Sequence, residues 1–178
     1  MILATLAVAA VSAGAPARAP GRPDIVTPQS AAASFYGAYL RSTAGAFPTS
    51  RARSQLRPLL SPRLNLLLER ADRAEAEHAR RTHGQEPPLI EGDVFTSLFE
   101  GAGRFQVQRC RTGAMRAICP VSLGYDTPGQ RPTRWRDQLV LMHGPSGWLV
   151  DDVVYGAHWS FGNKGRLSQS LRSAIFGG

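Results

Sequence analysis

Apolar positions recur at three- and four-residue spacing in the first half of the chain and alternate in the second. Thr27-Pro28 supplies a helix cap and a proline at the first helical position. Behind it, Ala32, Phe35, Tyr36, Tyr39 and Leu40 fall on one face of a helix ending near Ser42. The Gly45 region and Phe47-Pro48 break that helix, and a short element over Ser54–Leu60 is interrupted by Pro58. Ser61-Pro62 repeats the cap-plus-proline signature. It opens a long helix through about Arg81, with Leu64, Leu67, Leu68, Ala71 and Ala74 along one side. Glu69–Arg73 and Glu77–Arg81 read as i,i+4 pairs on its solvated face.

After Gly84 the period changes. Pro87-Pro88 and Gly92 mark a loop, with Gly92-Asp93 as a turn or cap acid. Phe105–Arg111, Ala117–Tyr125, Thr133–His143 and Trp148–Tyr155 then form four candidate strands. In the third, Trp135, Leu139 and Leu141 alternate against Arg134, Arg136 and Gln138, the period-2 mark of a half-buried antiparallel strand. Gly144–Gly147 is a turn, and a last amphipathic helix carries Leu167, Leu171 and Ile175. Helices first and a strand meander after predict an α+β fold. N-terminal helices pack on one face of a curved antiparallel sheet of about four strands, and a short C-terminal helix closes the chain.

Ahead of this pattern, Ile2–Ala13 is almost wholly apolar and is followed by the Ala/Pro-rich run Gly14–Pro20. About 12 apolar residues are too few to span a membrane, which takes about 20. The run fits the apolar part of a secretory signal, although no Lys or Arg precedes it. Cleavage candidates are Val11-Ser12-Ala13 and Ala15-Pro16-Ala17, and no cysteine lies nearby to take a lipid anchor. The expected organisation is a signal and leader over 1–19, a linker over 20–28 and one α+β domain over 29–178. The expected location is periplasmic or secreted, in a bacterium, with no transmembrane segment. In such an oxidising compartment the two cysteines, Cys110 and Cys119, are expected to pair across a hairpin turned at Thr112-Gly113.

The chain has 178 residues, enough for one core without metals or dense disulfides. Its composition excludes a disordered tail, a collagen repeat and a polytopic membrane protein. The net charge is +8, but 20 of the 21 basic residues are Arg, a skew that GC-rich coding produces whatever the function. The Arg residues are spread, with groupings at Arg51, Arg53, Arg57 and at Arg131, Arg134, Arg136. Such charge favours anionic surfaces in general, and export disfavours nucleic acid.

Chemistry is sparse. No nucleophile elbow, phosphate loop, dinucleotide fingerprint or zinc-protease helix is present. His78 and His83 are five apart and point away from each other on a helix, so no metal site is expected, and no cofactor. His143 and His158 read as surface or hydrogen-bonded histidines, and Trp148 and Trp159 as packing residues. Asp137 alternates onto the apolar face with Trp135 and Leu139, while Asp152 shares a face with Val150 and Val154 by strict alternation. A buried carboxylate must be offset by a partner. Two roles are open for them. They are acids in a pocket walled by Tyr36, Tyr39 and Trp135, or structural groups paired with an Arg or a backbone amide.

Four segments carry a resemblance. These are Phe35-Tyr36-Gly37-Ala38-Tyr39-Leu40, Leu60-Ser61-Pro62 with its leucine helix, Ile90-Glu91-Gly92-Asp93-Val94-Phe95, and Gly147-Trp148-Leu149-Val150-Asp151-Asp152-Val153. Together they resemble a bacterial envelope family known as domain of unknown function 3828, over residues 29–176. The resemblance implies a cone similar to nuclear-transport-factor-two or cystatin-like folds and brings no catalytic residues. A non-enzymatic module that binds a protein or small ligand is the expected function. Its alternatives are an immunity-type inhibitor of an envelope-targeted toxin and a small cone-fold isomerase or dehydratase using a pocket acid.

Overall fold

The structure, a computed structural model, describes residues 26–42 and 46–177. The expected signal, most of the expected linker and the Gly45 break lie outside the described residues. Helix α1 (Pro28–Ser42) starts where Thr27-Pro28 predicts, and the Thr27 hydroxyl accepts from the Ser30 amide at 3.1 Å. The short element begins earlier than expected, as α2 (Ser50–Leu56) capped by Thr49, and tightens into a 3-10 turn at Arg57–Leu59 where Pro58 stands. Helix α3 (Pro62–Arg81) is capped by Ser61, whose Oγ accepts from Leu64 N. On its exposed face the ion pairs differ from simple i,i+4 spacing. Glu77 meets Arg80, Glu69 reaches Arg57 and Asp72 holds Arg53.

An antiparallel sheet follows: β1 (Arg104–Val107), β2 (Arg111–Thr112), β3 (Arg116–Tyr125), β4 (Thr133–Gly144) and β5 (Gly147–Val154). The order is β1-β3-β4-β5, with β2 also on β3, so the sheet has five strands and not about four. The difference lies at the edge. The run expected as one strand over Phe105–Arg111 is split into two short pieces beside β3. Cys110 sits at the break and is joined to Cys119 of β3, with the Cα atoms 4.2 Å apart. The hairpin closes through Gly113 N, which donates to Arg116 O.

Register sorts the sheet into two faces. Phe105, Leu123 and Trp135 form one cross-strand row, and Cys119, Leu139 and Val153 another. Both rows join Phe35, Tyr36 and Tyr39 of α1 in the core. On the opposite face the rows are Arg104, Gly124, Arg134 and Gln106, Ser122, Arg136.

One expectation on facing is corrected. Val140 pairs with Asp152 but Leu141 with Val150, so Asp151 is an extra residue, a β-bulge. The bulge inverts the alternation. Val150 and Val153, three apart, both face the core, and Asp152 does not share a face with Val150. It also turns Asp151 toward the start of α3, where it takes Ser61 Oγ at 2.6 Å and a two-pronged contact from Arg63. Burial pushes this carboxyl up, but the Arg63 and Ser61 hydrogen bonds outweigh it and hold the group below its ordinary range.

Helix α4 (Leu167–Phe176) packs on α3 and β5, burying Leu167, Leu171 and Ala174. Its N-cap residue, Arg166, makes no side-chain cap.

Candidate functional site

The segment after Gly92 is not a surface loop. Residues 93–98 are fully buried, and Phe95 packs against Phe35 and Tyr39. Non-repetitive backbone in a core must still find hydrogen-bond partners, and here side chains supply them. Tyr155 donates to Val94 O at 2.7 Å and Tyr36 to Phe95 O at 3.1 Å. Asn163 Nδ2 reaches both Asp93 O and Thr96 O, and Tyr39 accepts from Ala102 N. These hydroxyls are therefore structural, and burial pushes Tyr36, Tyr39 and Tyr155 well above the ordinary phenol value.

Asp137 lies in the same knot. Its carboxylate accepts from Ser97 N, Ser97 Oγ, Trp135 Nε1 and Gly156 N, at 2.8, 2.5, 3.0 and 2.8 Å. Burial pushes its pKa up, and those four donors oppose the shift. Asp152 sits elsewhere. It accepts from Ser168 N and Ser168 Oγ, with Arg166 at 3.6 Å, and so serves as the cap that α4 lacks in its own sequence. Of the five candidate pocket residues, Tyr36, Tyr39 and Asp137 are thus sealed in the core and Asp152 is spent on a helix end. Trp135 is buried on the core face with its Nε1 on Asp137, and the open hollow lies on the other face of the sheet. Both acids are paired with backbone amides, Asp137 with Ser97 and Gly156 and Asp152 with Ser168.

Asp93 is the acid that sequence reasoning undervalued. It is fully buried, with Oδ1 accepting from Phe95 N at 2.8 Å. Among the described residues Oδ2 has no partner at full hydrogen-bonding geometry. Burial raises its pKa to about 7, with Tyr39 and the Phe95 and Thr96 groups pulling the other way.

The hollow is open, about 780 Å³ in volume, and lies over the face opposite the helices. Ser122 floors it, with Arg104 and Gln106 of β1 along one side and Arg134 and Arg136 of β4 along the other. The Arg104 side chain lies across Gly124, where a Cβ would make it shift. Arg104 is held by Asp126. Arg134 and Arg136 are exposed and have no carboxylate at ion-pair distance among the described residues. Of the Arg groupings in the sequence, the first is largely neutralised, since Arg53 and Arg57 have acidic partners on α3.

Among the described residues there is no group of three or more metal-ligating side chains suited to an ion, and no helix long and apolar enough to cross a membrane. His78 is buried, with Nε2 2.9 Å from Pro87 O. Compared with protein-family models, curated proteins and solved structures, the chain finds no match in any of the three.

Proposed function

We propose that the protein is a non-enzymatic binding module, exported to the periplasm or beyond, whose docking surface is the open face of the sheet and whose partner is an acidic protein. The observation that carries this is the free pair Arg134 and Arg136 on a concave, solvent-facing surface floored by Ser122. Arg is favoured at such surfaces because its fork matches carboxylates in a fixed geometry. A basic face also speeds encounter with an acidic partner. The acids that an enzyme of this shape would need are already engaged with backbone amides and Ser hydroxyls. An immunity-type inhibitor is one form of such a module, with an envelope-targeted toxin as partner. The resemblance to the envelope family of unknown function is in keeping with it.

The test is anisotropy of a labelled poly-glutamate peptide. Binding is expected at low ionic strength, weakening steeply as salt is added. The double reversal R134E/R136E is expected to abolish it without moving the thermal midpoint. No binding at low salt, or equal binding by the reversed variant, refutes the proposal.

A further inference from the structure

The uncovered face of the sheet is not flat. Where β1, β3 and β4 lie side by side, the middle strand turns Ser122 and Gly124 outward, both small, and each stands between longer side chains. Gln106 and Arg136 flank Ser122 in one cross-strand row, and Arg104 and Arg134 flank Gly124 in the next. The flanking residues belong to strands two spacings apart, so about 10 Å separates their backbones. What lies between them is a trough along β3, with long side chains for walls and a shallow floor. It is the open hollow of about 780 Å³.

The trough presents hydrogen-bond donors to whatever enters it. Arg134 and Arg136 are exposed on one wall, with no carboxylate at ion-pair distance among the described residues. Arg104, bent across Gly124, is held by Asp126. On the floor, Ser122 Oγ accepts from Gln108 Nε2 at 3.3 Å. A hydroxyl also has one proton to give, and among the described residues that proton has no acceptor. Two guanidinium forks and a hydroxyl proton are therefore left for a ligand rich in acceptors.

We infer that the trough receives an extended segment of the acidic partner, lying along β3 with carboxylates at alternate positions. This rests on the proposed function above and adds to it the form of the element that docks. Residues i and i+2 of an extended chain point the same way and stand about 7 Å apart. That is also the step from the Ser122–Arg136 row to the Gly124–Arg134 row, each two residues on along its strand. One acid then meets Arg136 and the Ser122 hydroxyl while the next meets Arg134, in the charge-assisted geometry that Arg and carboxylate share. A helix is too wide for this seat. Its diameter with side chains is about 10–12 Å, and the wall side chains already fill part of the space between the strands that carry them.

Anisotropy of three labelled peptides with equal numbers of Glu, measured on the full chain at low salt, tests this. In the first Glu alternates with Thr, in the second Glu stands at every third position among Thr, and the third is a stapled helix with Glu at i and i+4. The alternating peptide is expected to bind about tenfold more tightly than the other two, the contribution of one charge-assisted hydrogen bond. Ser122→Tyr fills the floor with a residue suited to strands and changes no charge. It is expected to weaken the alternating peptide to the level of the others, with the thermal midpoint kept. R134E/R136E is expected to abolish binding of all three. Equal affinities on the unaltered protein, a preference for the helix, or an alternating peptide indifferent to a folded Ser122→Tyr variant overturns the extended seat and leaves the proposed function standing. The ranking on the unaltered protein decides the matter if that variant does not fold. Failure of all three peptides to bind overturns the proposed function, and the seat with it.

Discussion

Replacing Asp93 with Asn is expected to stabilise the protein at neutral and alkaline pH and to leave it nearly unchanged in mild acid. The carboxyl is fully buried, with a pKa raised by burial to about 7 against an ordinary 3.8. The folded state therefore holds a proton that the unfolded chain has lost between about pH 4 and pH 7. Stability must fall as pH rises through that window, since the native state binds more protons there. The full gap sets an upper bound of about 4 kcal/mol on what ionisation removes. The amide keeps the acceptor used by Phe95 N and has no charge to desolvate, but it must place two N–H groups beside Tyr39, so a net gain of about 2–3 kcal/mol at pH 8 is expected. Urea unfolding of both proteins from about pH 4 to pH 8, disulfide intact, gives the comparison. The wild-type curve should descend and the variant's should be flatter by that amount. Parallel curves, or a variant less stable than wild type at pH 8, would refute the argument that this acid is held against its charge.

Asp152→Ala removes the acceptor at the start of α4 and is expected to cost about 1–2 kcal/mol, with amide exchange accelerating first at Ser168. Asp137→Ala leaves the Ser97, Gly156 and Trp135 donors without their acceptor, and about 3–5 kcal/mol should be lost in thermal or urea unfolding. Its tryptophan emission should shift as the Trp135 bond is broken. Replacing both Cys110 and Cys119 with Ser is expected to cost roughly 2–3 kcal/mol, the value for so short a loop, with the folded circular dichroism spectrum retained.

The helices were legible because their signals are local. Thr27-Pro28 and Ser61-Pro62 cap and start α1 and α3 within their own few residues. Strand β4 was legible from alternation. The bulge was not, because Asp151 is extra only relative to the register of a neighbouring strand. Beyond the turn at Gly92-Asp93, the segment Asp93–Leu98 carries no helix or strand period of its own. Its burial depends on Tyr36, Tyr155 and Asn163, which lie about sixty or more positions away in the chain. Val94, Phe95 and Leu98 were the signal available, three apolar residues among polar ones. Alternation puts Asp137 on the apolar face with Trp135, yet what Asp137 holds, Ser97 and the Gly156 turn, is not written near it.

The split in the outermost strand has a consequence for how the molecule behaves in a crowd. A sheet ending in a long, flat, unpaired strand invites other chains to add on and grow into fibrils. Here that border is cut into pieces of four and two residues with a cross-link between them, and Arg104 and Arg111 put charge on each piece. At the opposite border Leu60 and Arg166 each form a bridge to β5 and occupy part of its hydrogen-bonding groups. Neither margin offers an incoming strand a continuous run, so the protein is built to resist polymerising through its sheet.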